Sequence, residues 1–211
     1  MAALDDPDAV LMLRVKRGDL AAFEQLVDKY KRPIVNLMFR MVHDLEEAED
    51  LAQSVFVRVF QSAKRYEATA KFSTWLFTIA RRLCFNEIRR RSRHPAESLE
   101  SNAADSDPDR PARQFEDVKT FSPPENFLQR ELEEKIHQAV NALPEKQRLA
   151  IALCRQNELS YEEIAEVLDC SVSATKSLIH RARETLKQKL KPYLQTGVWE
   201  NKETPGPKRC S

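Results

Sequence analysis

"LSYEEIAEVLDCSVSATKSLIHRARETLKQKL" runs from Leu159 to Leu190. It reads as two helices with a very short break, the second ending in basic residues. Ser160 is placed to cap the first helix, with Glu163 at the capping-box position. Ile164, Ala165 and Leu168 recur at helical spacing and predict an inward face, where small Ala165 permits a close crossing. The break is Asp169-Cys170-Ser171. A tight turn there needs left-handed backbone, which Asp tolerates better than most residues. Ser171 then caps a second helix whose face carries Lys176, Ser177, His180, Arg181 and Arg183. From Lys176 to Lys191 six bases stand against one acid, Glu184. The combination predicts a helix-turn-helix with its second helix in the DNA major groove. The plainer alternative is an ordinary hairpin at the corner of a helical bundle.

A hairpin of this size needs little of a 211-residue chain. The composition around it is that of a helical protein: 3 glycines, 32% charged residues and many Leu, Ala, Glu, Arg and Lys. A net charge of +1 says nothing until its distribution is known. No apolar run approaches membrane-spanning length, so no membrane insertion is expected. The opening "MAALDDPDAV" lacks the basic-then-apolar pattern of a signal peptide. Cys84, Cys154, Cys170 and Cys210 are far apart, which argues against a metal site and a disulfide framework. The expectation is a cytoplasmic protein with reduced thiols, needing no cofactor, in which Cys84, Cys154 and Cys170 act as small core groups.

The stretch from His94 to Asn126 divides the chain. It holds five prolines and no apolar periodicity, and from Ala96 to Asn126 eight acids stand against three bases. Such a segment buries too little apolar surface to offset its ordering entropy, so a flexible linker is expected. The predicted organisation is all-α: a helical domain over 1–94, a linker over 95–126, a second helical domain over 127–194 and a disordered tail over 195–211. In the first block a short helix from Pro7 ends at Gly18, and Asp19 caps a longer one that Pro33 should kink or divide. Asp44 caps a helix running to about Ala63, and Ser73 is expected to cap the last helix, which Pro95 stops. In the second block a helix runs to about Ala142 and another starts at Leu143-Pro144.

Two helix faces in the first block point to partners. Between Leu45 and Ala63, the residues Ala48, Leu51, Ala52, Val55 and Val59 make a core side. Asp50, Gln53, Ser54, Val57 and Gln61 lie opposite, as either a partner surface or a solvated face. Between Ser73 and Arg93, the residues Leu76, Ile79, Ala80 and Leu83 make the core side. Trp75, Arg82, Phe85, Asn86, Arg89 and Arg93 lie on the far side. Arginines interleaved with rings and an amide suit nucleic acid, because guanidinium groups neutralise phosphates, rings stack on bases and Asn reads base edges. Cations near a helix C-terminus also complement its dipole, which accounts for Arg89 and Arg93 but not for the aromatics.

These two blocks together resemble the extracytoplasmic function type of bacterial RNA polymerase sigma factor, in the sigma-70 family. "AFEQLVDKYKRPIVNLMFRMVHDLEEAEDLAQSVFVRVFQSAKRY" is similar to the family's regions 2.1 and 2.2, and "KFSTWLFTIARRLCFNEIRRRSR" to regions 2.3 and 2.4. "LPEKQRLAIALCRQNELSYEEIAEVLDCSVSATKSLIHRAR" is similar to region 4. The resemblance spans about Leu13 to Leu194. It implies a sigma factor that binds core RNA polymerase and directs promoter-specific initiation. It implies that Asp50, Gln53, Ser54 and Val57 dock on the clamp of polymerase's largest subunit, with Ser54 standing where the family usually has an acid. Contact with the polymerase flap, promoter DNA and a cognate anti-sigma factor follow from the same resemblance. Phe72, Ser73, Thr74 and Trp75 would melt the −10 element, with Arg82, Asn86 and Arg89 along its strand. Lys176, Ser177, His180, Arg181 and Arg183 would meet the −35 element. "SVSATKSL" departs from the family's Ser-Val-Gly-Thr-Val-Lys-Ser-Arg at Ser173, Ala174, Thr175 and Leu178.

A different class stays open from the residues alone: a stand-alone helix-turn-helix regulator using only the second block. An enzyme acting on nucleic acid is disfavoured, because the sequence carries no motif of paired carboxylates, Gly-rich phosphate loop or metal cluster.

Overall fold

The computed structural model describes residues 6–93, 132, 134–155 and 159–196, with side chains in the last helix described as far as Pro192. The predicted linker and most of the predicted tail lie outside the described residues. The described residues are helical with no strands. α1 spans Pro7–Lys16, α2 Leu20–Val42, α3 Leu45–Ser62 and α4 Phe72–Arg93, with a 3-10 turn at Ala63–Arg65 after α3. α5 is described over 134–141. α6 spans Glu145–Cys154, α7 Tyr161–Leu168 and α8 Val172–Thr196. Pro192 lies inside α8, which carries the helix slightly past the expected boundary at residue 194.

Most helix ends obey local chemistry. Asp19 accepts the Ala22 N–H at 3.1 Å and Asp44 accepts the Glu47 N–H at 2.9 Å. Gly18, at φ +95°, makes the turn between α1 and α2 that a side chain would strain. Pro33 does not divide α2, which runs unbroken through it.

The start of α4 corrects the sequence reading. Ser73 is not its cap; it is buried inside the helix, which begins at Phe72. The Phe72 N–H is instead accepted at 2.7 Å by Asp6 Oδ2, from 66 positions upstream. The other oxygen, Asp6 Oδ1, accepts the Asp8 N–H at 3.0 Å and caps α1. One carboxylate thus holds two helix N-termini together.

Beneath that carboxylate lies a ring cluster. The Phe72 ring is 5.4 Å from Tyr30, and Trp75 lies 4.9 Å from Tyr66 and 5.9 Å from Phe72. Buried Asp8 accepts both Lys29 Nζ and Tyr30 Oη at 2.6 Å, so it is paired twice. Burial, with Asp6 and Asp8 nearby, pushes the Tyr66 phenol up to about 12. The core side of α3 is as expected, with Ala48, Ala52, Val55 and Val59 buried and Leu51 partly so. On α4 the core also takes Phe77 and Cys84, which the expected set of Leu76, Ile79, Ala80 and Leu83 lacked. Ile79 and Leu83 are only partly buried.

The second helical unit, α5 to α8, packs on the first. α6 lies against α2, and α7 lies against α4. Leu149, Leu153, Ile164 and Val167 join the same buried cluster as the helices of the first unit. The two-unit reading of the sequence holds, and the structure adds a seam between the units.

Candidate nucleic-acid interface

The helix-turn-helix is built from side chains close in sequence. Ser160 Oγ accepts the Glu163 N–H at 3.2 Å, and the Glu163 carboxylate accepts the Ser160 N–H at 2.6 Å. Both halves of the capping box are therefore formed. Asp169 adopts φ 56° and ψ 54°, the left-handed turn expected of it. Ser171 Oγ then accepts the Ala174 N–H at 3.1 Å and opens α8. Ile164, Ala165 and Val167 of α7 and Ile179 and Ala182 of α8 are buried, and Leu168 is partly so. Thr175 is fully buried, with its hydroxyl 3.2 Å from Cys170 Sγ.

That packing leaves one side of α8 in solvent. Lys176, His180, Arg181 and Arg183 are exposed, and Ser177 is half-buried with its hydroxyl on the Ser173 carbonyl at 3.0 Å. Lys176 Nζ sits 5.8 Å from the centre of the Tyr161 ring, and Arg183 reaches Cys154 Sγ at 3.5 Å. Lys187 lies 3.9 Å from Glu184, an exposed pair of small energetic weight. The surface is a row of cations on a helix that begins with a short turn, the arrangement that follows a DNA groove.

α4 presents a second cationic face. Arg82, Asn86, Arg89 and Arg93 are exposed, and Asn86, Arg89, Arg90 and Arg93 line a shallow depression of about 320 Å³. Trp75 and Phe85 are half-buried rather than free. Phe72, Ser73 and Thr74 are buried, so the expected melting residues sit in the ring cluster and the adjacent core. Asp50, Gln53, Ser54 and Val57 are all exposed on α3, together with Phe60.

The two cationic faces meet. A cleft of about 760 Å³ separates them, lined by Arg81, Phe85 and Arg89 of α4 and by Ser173, Ser177 and Arg181 of α8. Arg81 Nη1 donates to the Leu168 carbonyl at 3.0 Å, and Lys71 pairs with Glu163 at 2.8 Å. Burial pushes the Glu163 carboxyl up, but Lys71 and the Ser160 N–H outweigh burial and hold it below the usual glutamate value. The hydrogen bond to Glu163 raises the Lys71 ammonium in turn.

The sequence reading missed Arg148, which ties three elements. Its guanidinium donates to the Met41 carbonyl at 3.3 Å, the Asn141 carbonyl at 3.0 Å and the Leu143 carbonyl at 3.3 Å, and meets His43 Nε2 at 2.9 Å. No local signal marks it, because two of those partners lie more than a hundred positions away. Among the described residues no group of His, Cys, Asp and Glu is arranged to hold a metal ion, and no helix is long and apolar enough to cross a membrane.

Two helical units, each presenting a cationic helix and the second built on a helix-turn-helix, define a two-module nucleic-acid-binding protein. Comparison with known proteins gives the family. The Sigma-70 region 2 profile matches residues 26–94, and the Sigma-70 region 4 profile matches residues 133–186. The chain is 37% identical over 190 residues to the RNA polymerase sigma-H factor of Pseudomonas aeruginosa, covering 90% of this chain and 97% of that protein. It is 34% identical over 198 residues to the ECF RNA polymerase sigma-E factor of Escherichia coli strain K12, covering 89% and 96%. The sigma factor RpoE of Bartonella quintana, solved with the anti-sigma factor NepR, shares the fold at a TM-score of 0.60 and 24% identity, covering 80% of this chain and 96% of that one. The chain belongs to the sigma-70 family, among the extracytoplasmic function sigma factors, and its function is to direct RNA polymerase to promoters.

Proposed function

We propose that the two modules divide the work of initiation at the residues described above. The unit over 1–94 binds core polymerase through Asp50, Gln53, Ser54 and Val57, which project from α3 away from its buried side. The same unit contacts the −10 element along Arg82, Asn86 and Arg89, with the ring cluster around Phe72 and Trp75 as the device that takes an unstacked base. The unit over 127–194 contacts the −35 element in duplex form through Lys176, Ser177, His180, Arg181 and Arg183 and faces the polymerase flap. Residues 95–126 connect the two units in sequence and lie outside the described residues. The protein acts in the cytoplasm, by binding rather than by catalysis. An anti-sigma factor is a further partner, in keeping with the RpoE–NepR complex.

One observation carries this reading. Two separate cationic helices, Arg82 to Arg93 and Lys176 to Lys191, stand in a chain whose two blocks match sigma regions 2 and 4 in order. A stand-alone regulator has no use for the first helix. The test is co-purification with core polymerase. The double variant Asp50→Ala, Gln53→Ala should lose polymerase while retaining helicity, because neither side chain is buried and no cavity is left. Undiminished co-purification at normal helicity would remove this face from the account.

A further inference from the structure

The seam between the two units contains a histidine pair that the account above does not use. His43 ends α2 in left-handed backbone, at φ 64°, with its N–H on the Phe39 carbonyl at 2.9 Å. Its Nε2 meets Arg148 Nη1 of α6 at 2.9 Å. Arginine is a donor only and does not give up its proton at any relevant pH, so Nε2 must be the acceptor. His43 is therefore neutral in this packing. A proton on Nε2 would replace the hydrogen bond with two cations in contact.

Among the described residues no carboxylate forms a salt bridge with the imidazole. The His137 ring of α5 stands edge-on to it at 4.7 Å, and Phe39 stacks on the other side of His137 at 6.1 Å. Arg91 of α4 reaches the Val42 carbonyl at 3.4 Å, one residue away. The carboxylates of the seam are directed elsewhere: Glu47 and Glu87 pair with Arg91, Asp44 acts on Arg91, and Glu145 acts on Arg148. His43 Nδ1 is buried with no hydrogen-bond partner among the described residues.

We propose that the His43–Arg148 contact is an acid-sensitive catch: protonation of His43 breaks it and releases the helix-turn-helix unit from the first unit. Burial, then His137, Arg148 and Arg91, lower the His43 imidazole from the ordinary 6.5 to about 4. The closed seam binds the proton less readily than the open one. Closure is therefore at full strength above pH 6.5 and weakens as pH falls toward 4. Linkage through one such group makes the closed-to-open ratio fall about tenfold between pH 7.5 and pH 5.5. Opening would part the cleft between Arg81, Phe85 and Arg89 on one side and Ser173, Ser177 and Arg181 on the other, so acidification would let the two cationic faces engage nucleic acid independently. That consequence rests on the promoter-reading proposal; the opening itself does not.

The experiment uses the full chain without polymerase or DNA, so it stands whether or not the promoter assignments do. Single-molecule energy transfer between dyes at exposed Glu24 and Gln188 counts closed and open molecules. The closed-to-open ratio should fall about tenfold from pH 7.5 to pH 5.5 in the wild type. It should stay level in His43→Asn, because Asn tolerates left-handed backbone and does not titrate. Equal falls in both proteins, or no fall in the wild type, would overturn the catch. Should the variant lose helicity, NMR titration of the wild-type imidazoles decides. A His43 midpoint near 4 supports the proposal, and one at 6.5 overturns it.

Discussion

α4 and α7 start in opposite ways. α7 is closed by its own residues, Ser160 and Glu163, three positions apart. α4 is closed by Asp6, which arrives from another helix and caps α1 with its second oxygen. The helix-turn-helix is thus specified locally and can be read as a string. The first unit is specified by contacts across the chain, and its cationic helix α4 starts on the ring cluster beside it. A local module can vary its reading residues without altering its frame. On the proposed function the tertiary module would couple its frame to its reading face, because Phe72 and Trp75 would serve both.

The largest effect expected from this contrast is at Phe72. Phe72→Ala removes a buried ring that contacts Tyr30 and Trp75, and should cost about 3–5 kcal/mol in denaturant unfolding. A loss below 1 kcal/mol would show that the cluster does not hold α4 in place. No single side chain of the helix-turn-helix surface should approach this.

On the DNA side, Arg181→Ala should cost about 1–3 kcal/mol and relax preference at particular −35 positions. Arg183→Ala should weaken binding to every sequence alike and reduce the salt slope by about one. Binding to all single-base −35 variants at two salt concentrations separates the two. If both variants scale every sequence by one factor, α8 grips DNA without reading it.

The caps come next. Asp6→Ala leaves N–H groups of two helices without an acceptor and should cost about 1–2 kcal/mol globally, whereas Ser160→Ala should cost about 1 kcal/mol and be felt mainly in α7. Hydrogen exchange resolves them: loss of protection in both α1 and α4 for the first, in α7 alone for the second. The smallest effect is at Glu163, whose lowered carboxyl contributes stability present above the ordinary 4.5 and lost as pH falls below it. Protection of α7 should drop over that window in the wild type and stay flat in Glu163→Gln.

Legibility followed the same division. Ser160, Glu163, Asp169 and Ser171 cap and turn as their local chemistry dictates, because each capping partner lies within a few positions, although Glu163 also pairs with Lys71 across the seam. The exposed faces of α3 and α8 were legible from helical period. Ser73 misled, since a serine before an apolar run is a fair cap unless the helix starts upstream of it, as here, where Asp6 accepts the Phe72 N–H and the Lys71 carbonyl accepts the Trp75 N–H. Cys84 is buried as expected of a small core thiol, but Phe77 was missed because α4 is covered on more than one side, by α2, α3 and α7. The seam was not legible at all: Arg148 meets Met41 and His43 across more than a hundred positions, and no periodicity records such a pairing.

The division of labour between a locally built −35 reader and a tertiary −10 reader is tested most directly by run-off transcription from a randomised promoter library with purified core polymerase. With the wild-type chain, transcribed templates should share two separated elements. Arg181→Ala should change only the upstream one, and Arg82→Ala or Asn86→Ala only the downstream one. Transcription independent of the chain, or enrichment of a single element that no α4 variant alters, would contradict it.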